Sequence, residues 1–173
     1  MDMLVDPASS DMATITATSE TVLVPTIMTP IPAMDPRAGR QYLLRVGGTC
    51  TTGTAGTLII TPRFGLTIGG VALGASPTQN YVPSITTAPF LFEYYLTFRT
   101  IGVIGGANST CIGSGRWTSG GAVATAASET SVSCCSAASV SVDTTVASAL
   151  WIGVTFSVAP SVIPKWCTWQ SLN

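Results

Sequence analysis

The 173-residue sequence predicts an all-β protein, a single jelly-roll-like β-sandwich with an extended N-terminal arm. Three observations lead there. Two long segments alternate apolar and polar residues with period two. Ser and Thr make up about a quarter of the chain, beside 17 Gly and 11 Pro, which is a strand-and-turn vocabulary. No segment shows a 3.6-residue apolar stripe with caps at both ends. A chain of this length folds around one core and buries roughly 70% of the surface exposed when unfolded.

Residues 1–36 read as the arm and residues 37–173 as the sandwich. The arm carries Asp2, Asp6, Asp11, Glu20 and Asp35, with no Lys or Arg before Arg37, and ends in Pro25, Pro30, Pro32 and Pro36. Proline cannot continue a helix and fills a central strand poorly, so the segment is extended, with one short strand at 21–24. Fully extended, it reaches about 110–120 Å, enough to cross onto a neighbouring subunit. Its apolar side chains Leu4, Val5, Met12, Ile15, Val22, Leu23, Ile27 and Met28 are too many for a segment that only solvates, and are candidate subunit or shell contacts.

In the body the clearest strand is 90–101, where Phe90, Phe92, Tyr94, Leu96 and Phe98 fall on one face and Glu93, Thr97 and Arg99 on the other. Residues 150–158 repeat the pattern with Leu150, Ile152, Val154, Phe156 and Val158. Shorter apolar runs between turn residues give strands at 41–46, 57–63, 68–73, 109–118, 132–142 and 165–169. Asp143 is placed to cap one helical turn over 144–150. Eight strands in this length fit a jelly roll, with an immunoglobulin-like sandwich as the alternative.

Charged residues are only 9% of the chain, against about 25% in ordinary globular proteins. An isolated monomer with so little charge is poorly protected against association, which points to a surface covered by other copies or by a larger assembly. The 7 Lys+Arg against 8 Asp+Glu leave no polybasic surface for nucleic acid or anionic lipid. No run approaches 18 apolar residues, so no transmembrane helix is expected, and the acidic start does not resemble a secretory signal.

Histidine is absent, which removes Ser/His and Cys/His catalysis and the common His-containing zinc sites. The five cysteines, Cys50, Cys111, Cys134, Cys135 and Cys167, form no C-x-x-C pair and read as buried free thiols, with a disulfide between distant cysteines as the alternative. On a strand, adjacent Cys134 and Cys135 point to opposite faces, so they do not chelate one metal. Glu93 shares its strand face with Arg99 and reads as one half of a surface ion pair, not as part of a glycosidase carboxylate pair. The Gly-rich runs at 102–106 and 113–117 fit no phosphate-binding motif and read as loops. No catalytic residue, cofactor or metal is expected. Among Trp117, Trp151, Trp166 and Trp169, the pair Trp166 and Trp169 is the candidate interface or glycan-stacking site.

The runs TLIITPRFG at 57–65 and VALGASP at 71–77 resemble small virion structural proteins of tailed bacteriophages, especially those of actinobacteria. FEYYLTFRT at 92–100, DTTVASALWIGVTFS at 143–157 and the ending WQSLN at 169–173 carry the same likeness, which spans roughly residues 40–173. The resemblance implies a jelly-roll decoration or minor capsid protein, assembled in the host cytoplasm and bound outside the shell as a homotrimer, with the major capsid protein as partner. Binding only the assembled shell would stabilise it by mass action. A tail or fibre protein that binds a host glycan is the alternative, and a free carbohydrate-binding module the third reading.

Overall fold

The computed structural model describes residues 12–25, 29–67, 69–81, 85–103, 108–120 and 130–172. The described strands are β1 (Thr21–Val22), β2 (Pro30–Ile31), β3 (Gln41–Thr52), β4 (Gly56–Gly65), β5 (Val71–Ala72), β6 (Gln79–Tyr81), β7 (Ile85–Thr100), β8 (Ser109–Ser119), β9 (Thr130–Cys135), β10 (Val140–Val142), β11 (Ser148–Phe156) and β12 (Ser161–Ser171). They form two antiparallel sheets packed face to face, a β-sandwich. Sheet A runs β10-β8-β7-β3-β12, with β9 also on β8. Sheet B runs β1-β11-β4-β5, with β2 also on β11 and β6 on β4.

The ladders nest from the outside in: β3 pairs with β12, β4 with β11, and β7 with β8. This wrap is jelly-roll-like. A further ladder between β3 and β7 joins the outermost and innermost pairs into one sheet. The return of β12 beside β3 gives sheet A the spatial order β12-β3-β7-β8.

The period-two segments supply the core. Phe90, Phe92, Tyr94, Leu96 and Phe98 of β7 point inward, and Leu150, Ile152, Val154 and Phe156 of β11 meet them from sheet B. Phe64 of β4 meets Phe98 edge-on at 5.8 Å, which ties the sheets together, and Phe90 stacks on Trp117 at 4.2 Å. Aromatic pairs in such arrangements add about 0.5–1.5 kcal/mol beyond the area they bury.

Several elements differ from the sequence reading. The stretch 144–150 forms no helical turn. Asp143 Oδ1 accepts from the Thr145 amide at 2.8 Å and its hydroxyl at 2.6 Å, an Asx-type turn that delivers Ser148 straight into β11. The strand expected at 132–142 is broken between β9 and β10. There the Ser136 amide still donates to the Gly113 carbonyl at 2.8 Å, while its Oγ accepts from the Gly113 amide at 2.9 Å and donates to the Leu73 carbonyl just past β5. The last strand is longer than 165–169 because β12 tolerates Pro164: its register shifts between Pro164 and Trp166, the kind of bulge where a proline is accommodated. Val158 lies beyond β11 and is exposed. The glycines of 113–117 sit inside β8 rather than in a loop, because the Tyr94 ring lies over Gly113 and Gly115 and leaves no room for a side chain.

From Met12 onward the described arm lies on its own sandwich. The Met12 amide donates to the Pro164 carbonyl at 2.9 Å, and Ile15 and Val162 exchange backbone hydrogen bonds at 2.8 and 3.0 Å, so the segment extends the β12 edge of sheet A. The chain then crosses to sheet B, where β1 and β2 pair with β11. Glu20 reaches over Gly153 to grip Arg63 in a two-pronged ion pair, 2.9 and 3.0 Å.

Candidate functional site

The surface feature with the composition of an interface is the outer face of sheet A. Strand register places residues on it in rows that cross β12, β3, β7 and β8. One row is Trp166, Gly47, Leu91 and Thr118; the next is Thr168, Arg45, Glu93 and Arg116; the third is Gln170, Leu43, Tyr95 and Ser114. Trp166 lies flat over Gly47, whose missing side chain leaves the space the indole occupies. Trp166 and Tyr95 are each 39% exposed and Leu91 38%, large values for side chains that gain most from being covered.

Arg45 Nε donates to Glu93 Oε1 at 2.8 Å, with both side chains well exposed. Such a pair contributes about 0–1 kcal/mol to stability. Arg116 follows Glu93 in the same row, and a shallow depression of about 210 Å³ opens beside it between Glu93, Tyr95, Ser133 and Cys135. Arg99 of β7 and Lys165 of β12 are also exposed. Aromatic rings interleaved with arginines are the residue types enriched at protein interfaces.

A second feature is a cleft of about 240 Å³ at one end of the sandwich, lined by Pro30, Pro32, Asp35, Arg40, Tyr42 and Trp169, among others. Tyr42 and Trp169 stack at 5.2 Å as its floor, and Trp169 Nε1 donates to the Pro30 carbonyl at 3.0 Å. Tyr42 Oη donates to Asp35 Oδ2, which also faces Arg40 Nη2 at 3.3 Å. Burial, reinforced by that carboxylate, pushes the Tyr42 phenol far above its ordinary range, so it stays a donor at every physiological pH.

The residues singled out in the sequence fall into three groups. Leu4, Val5, Ile27 and Met28 lie outside the described residues. Met12, Ile15 and Leu23 are buried in the chain's own core, and Val22 is half-buried in β1, so these four belong to the fold of the single chain. Trp166 and Trp169 do not form one site: Trp169 is 2% exposed and faces the core, while Trp166 faces out. Their odd spacing, which puts them on opposite faces of a strand, is visible in the sequence.

Cys50, Cys111, Cys134 and Cys167 are buried free thiols, and Cys135 is exposed on the opposite face from Cys134. Among the described residues no group of three or more His, Cys, Asp or Glu is placed to hold a metal, and no helix is long and apolar enough to cross a membrane. The outer face itself was not legible in advance, since Arg45, Glu93 and Arg116 are brought together only by strand register. Compared with known proteins, the chain matches no protein-family model, no curated protein and no solved structure.

Proposed function

We propose that this chain is a virion structural protein of a tailed bacteriophage, a decoration or minor capsid protein that binds the outside of the shell as an oligomer, a homotrimer in this reading. It stabilises contacts between major capsid subunits. The observation that carries the reading is the outer face of sheet A, where Trp166, Tyr95 and Leu91 stay exposed around the Arg45–Glu93 pair. A charge-poor chain with such a face gains by being covered, and a partner that binds only assembled shell is held there by mass action. The resemblance of residues 40–173 to phage virion proteins supplies the setting.

A tail or fibre role with a glycan ligand is the second reading, favoured by the end cleft, whose Asp35 and Arg40 offer an acceptor and donors to sugar hydroxyls. Immunogold labelling of intact particles of the phage that encodes the chain separates the two. Label spread over the head is the expected result. Label confined to the tail overturns the shell reading and moves the test to glycan binding by Asp35→Ala.

A further inference from the structure

Hydrogen-bonding groups in the walls of a cavity are normally satisfied, and at one end of this sandwich three are not. Arg40 lines both the end cleft of about 240 Å³ and a more open depression of about 310 Å³ formed with Arg37, Ala38 and Gly39. Its guanidinium faces one acceptor, Asp35 Oδ2, at 3.3 Å, and its Nε is buried without a hydrogen bond. Arg37 is exposed, and its side chain has no hydrogen bond or ion pair among the described residues. Asp35 uses the single oxygen Oδ2 for both Tyr42 and Arg40, so Oδ1 accepts no hydrogen bond among the described residues, in a side chain 31% exposed.

The backbone beneath these groups is fixed. The Arg40 amide donates to the Arg37 carbonyl at 2.9 Å, which closes a turn through Gly39 at a φ of 85°. The Gly39 amide donates to the Phe98 carbonyl at 2.8 Å, and the Phe98 amide donates to the Arg40 carbonyl at 3.0 Å. Both arginines therefore stand on a turn clamped to β7, and Tyr42 Oη holds the Asp35 carboxylate beside them. Groups positioned before a ligand arrives lower the entropy cost of binding it.

We propose that the end cleft binds an acidic sugar, its carboxylate on Arg40 and Arg37 and a neighbouring hydroxyl on Asp35. The carboxylate supplies the acceptor that both guanidiniums lack, and the hydroxyl supplies the donor that Asp35 Oδ1 lacks. A neutral sugar meets only the second need. A carboxylate without hydroxyls meets only the first, and sets like charge beside Asp35. The cleft's volume lies just below the roughly 300–1,000 Å³ of pockets for drug-sized ligands, which suits one sugar residue, and Pro30 and Pro32 give it apolar walls for the C–H faces of the ring. This inference rests on the glycan reading of the cleft and holds wherever on a particle the chain sits.

The test is an NMR titration of the ¹⁵N-labelled full chain with three probes: a galacturonate trimer, a galactose trimer and a glutamate tripeptide. The galacturonate trimer should shift the amides of residues 37–42 and the Nε–Hε signals of Arg37 and Arg40 saturably, with an affinity about tenfold above that for either other probe. That affinity should fall between about 0.1 M and 1 M salt. Arg40→Gln should weaken it about tenfold and Arg37→Gln about threefold, while Arg45→Gln, on the outer face of sheet A, should leave it unchanged. Arg37 has no structural partner, so its variant keeps the test available if Arg40→Gln does not fold.

Equal affinity for the glutamate tripeptide, or wild-type affinity in Arg37→Gln, overturns the inference. Equal affinity for the galactose trimer removes the acidic class alone and leaves the glycan reading standing. No shift around the cleft with any probe up to about 10 mM overturns both.

Discussion

Substituting Gly113 by Ala places a methyl group where the structure already holds Tyr94. The added Cβ overlaps the Tyr94 hydroxyl and Cζ and lies 2.9 Å from Cε1. Tyr94 has nowhere to go, because it is fully buried at the centre of β7, between the sheets. Its buried hydroxyl has no hydrogen-bond partner among the described residues. Overpacking of a closed core costs about 1–3 kcal/mol and sometimes more. An overlap with ring atoms belongs at the upper end, so Gly113→Ala is expected to lose about 3 kcal/mol, or roughly 6–12 °C in Tm for a chain of this size. Tyr94→Phe alone removes an unsatisfied buried hydroxyl and is expected to be neutral or stabilising by about 1 kcal/mol. In the Phe background the overlap with the ring remains but that with the hydroxyl is gone. Gly113→Ala should then cost about 1–2 kcal/mol less than in wild type, a coupling of the size seen for residues in direct contact. Urea unfolding of the four proteins measures the cycle. A Gly113→Ala cost below about 0.5 kcal/mol, or equal costs in both backgrounds, refutes the packing argument.

Three further outcomes follow from the same structure. In native protein at pH 8 a thiol reagent should titrate Cys135 alone, and in denaturant all five cysteines, because burial pushes Cys50 up to about 11 and Cys111, Cys134 and Cys167 up to about 12. These thiols are raised above their value of 9.0 in the unfolded chain, so stability should be flat with respect to them below pH 9 and fall as pH rises from 9 toward 11–12, read as Tm across that range. Trp169→Ala should cost about 3–5 kcal/mol by thermal unfolding, while Trp166→Ala should leave Tm within about 2 °C and weaken association instead. Deleting residues 1–36 should yield insoluble or unfolded protein, whereas deleting residues 1–11 should preserve the native circular dichroism and melting cooperativity; equal behaviour of the two deletions contradicts the placement of the arm.

How much of this was readable in advance depended on whether the information was local. The central strands β7 and β11 were, because each side chain announces its face through the period of two, and a strand buried on one face must keep that register. Strand ends were less so. Pro164 argues locally against a strand, yet β12 runs through it on a bulge, and β2 exists although it begins with Pro30, because it needs only two partners on β11. Asp143 looks like a helix cap in the sequence because caps and Asx turns use the same carboxylate-to-amide bond, and only the pairing of Ser148 and Ala149 with β2 decides between them. The exposed face of sheet A was invisible for a different reason: Arg45 and Glu93 are 48 residues apart, and nothing short of the β3–β7 register brings them together.

The arm shows the same division most clearly. Its prolines and scattered apolar residues say that it is extended and that something covers it, but not what. In the structure Met12, Ile15, Leu23, Val24 and Ile31 are buried against their own sandwich, each worth roughly 1.5–3 kcal/mol of burial in a domain whose net stability is about 5–15 kcal/mol. The same residues occupy the β12 edge near Val162 and Pro164 and the β11 edge from Ala149 to Val154, the places where a bare sheet would invite another chain. An experiment that removes the whole arm therefore uncovers two sheet edges and part of the core at once, and any loss of assembly it causes says nothing about docking. Cutting before Met12 separates the two effects, because it leaves both edges covered and all five core side chains in place.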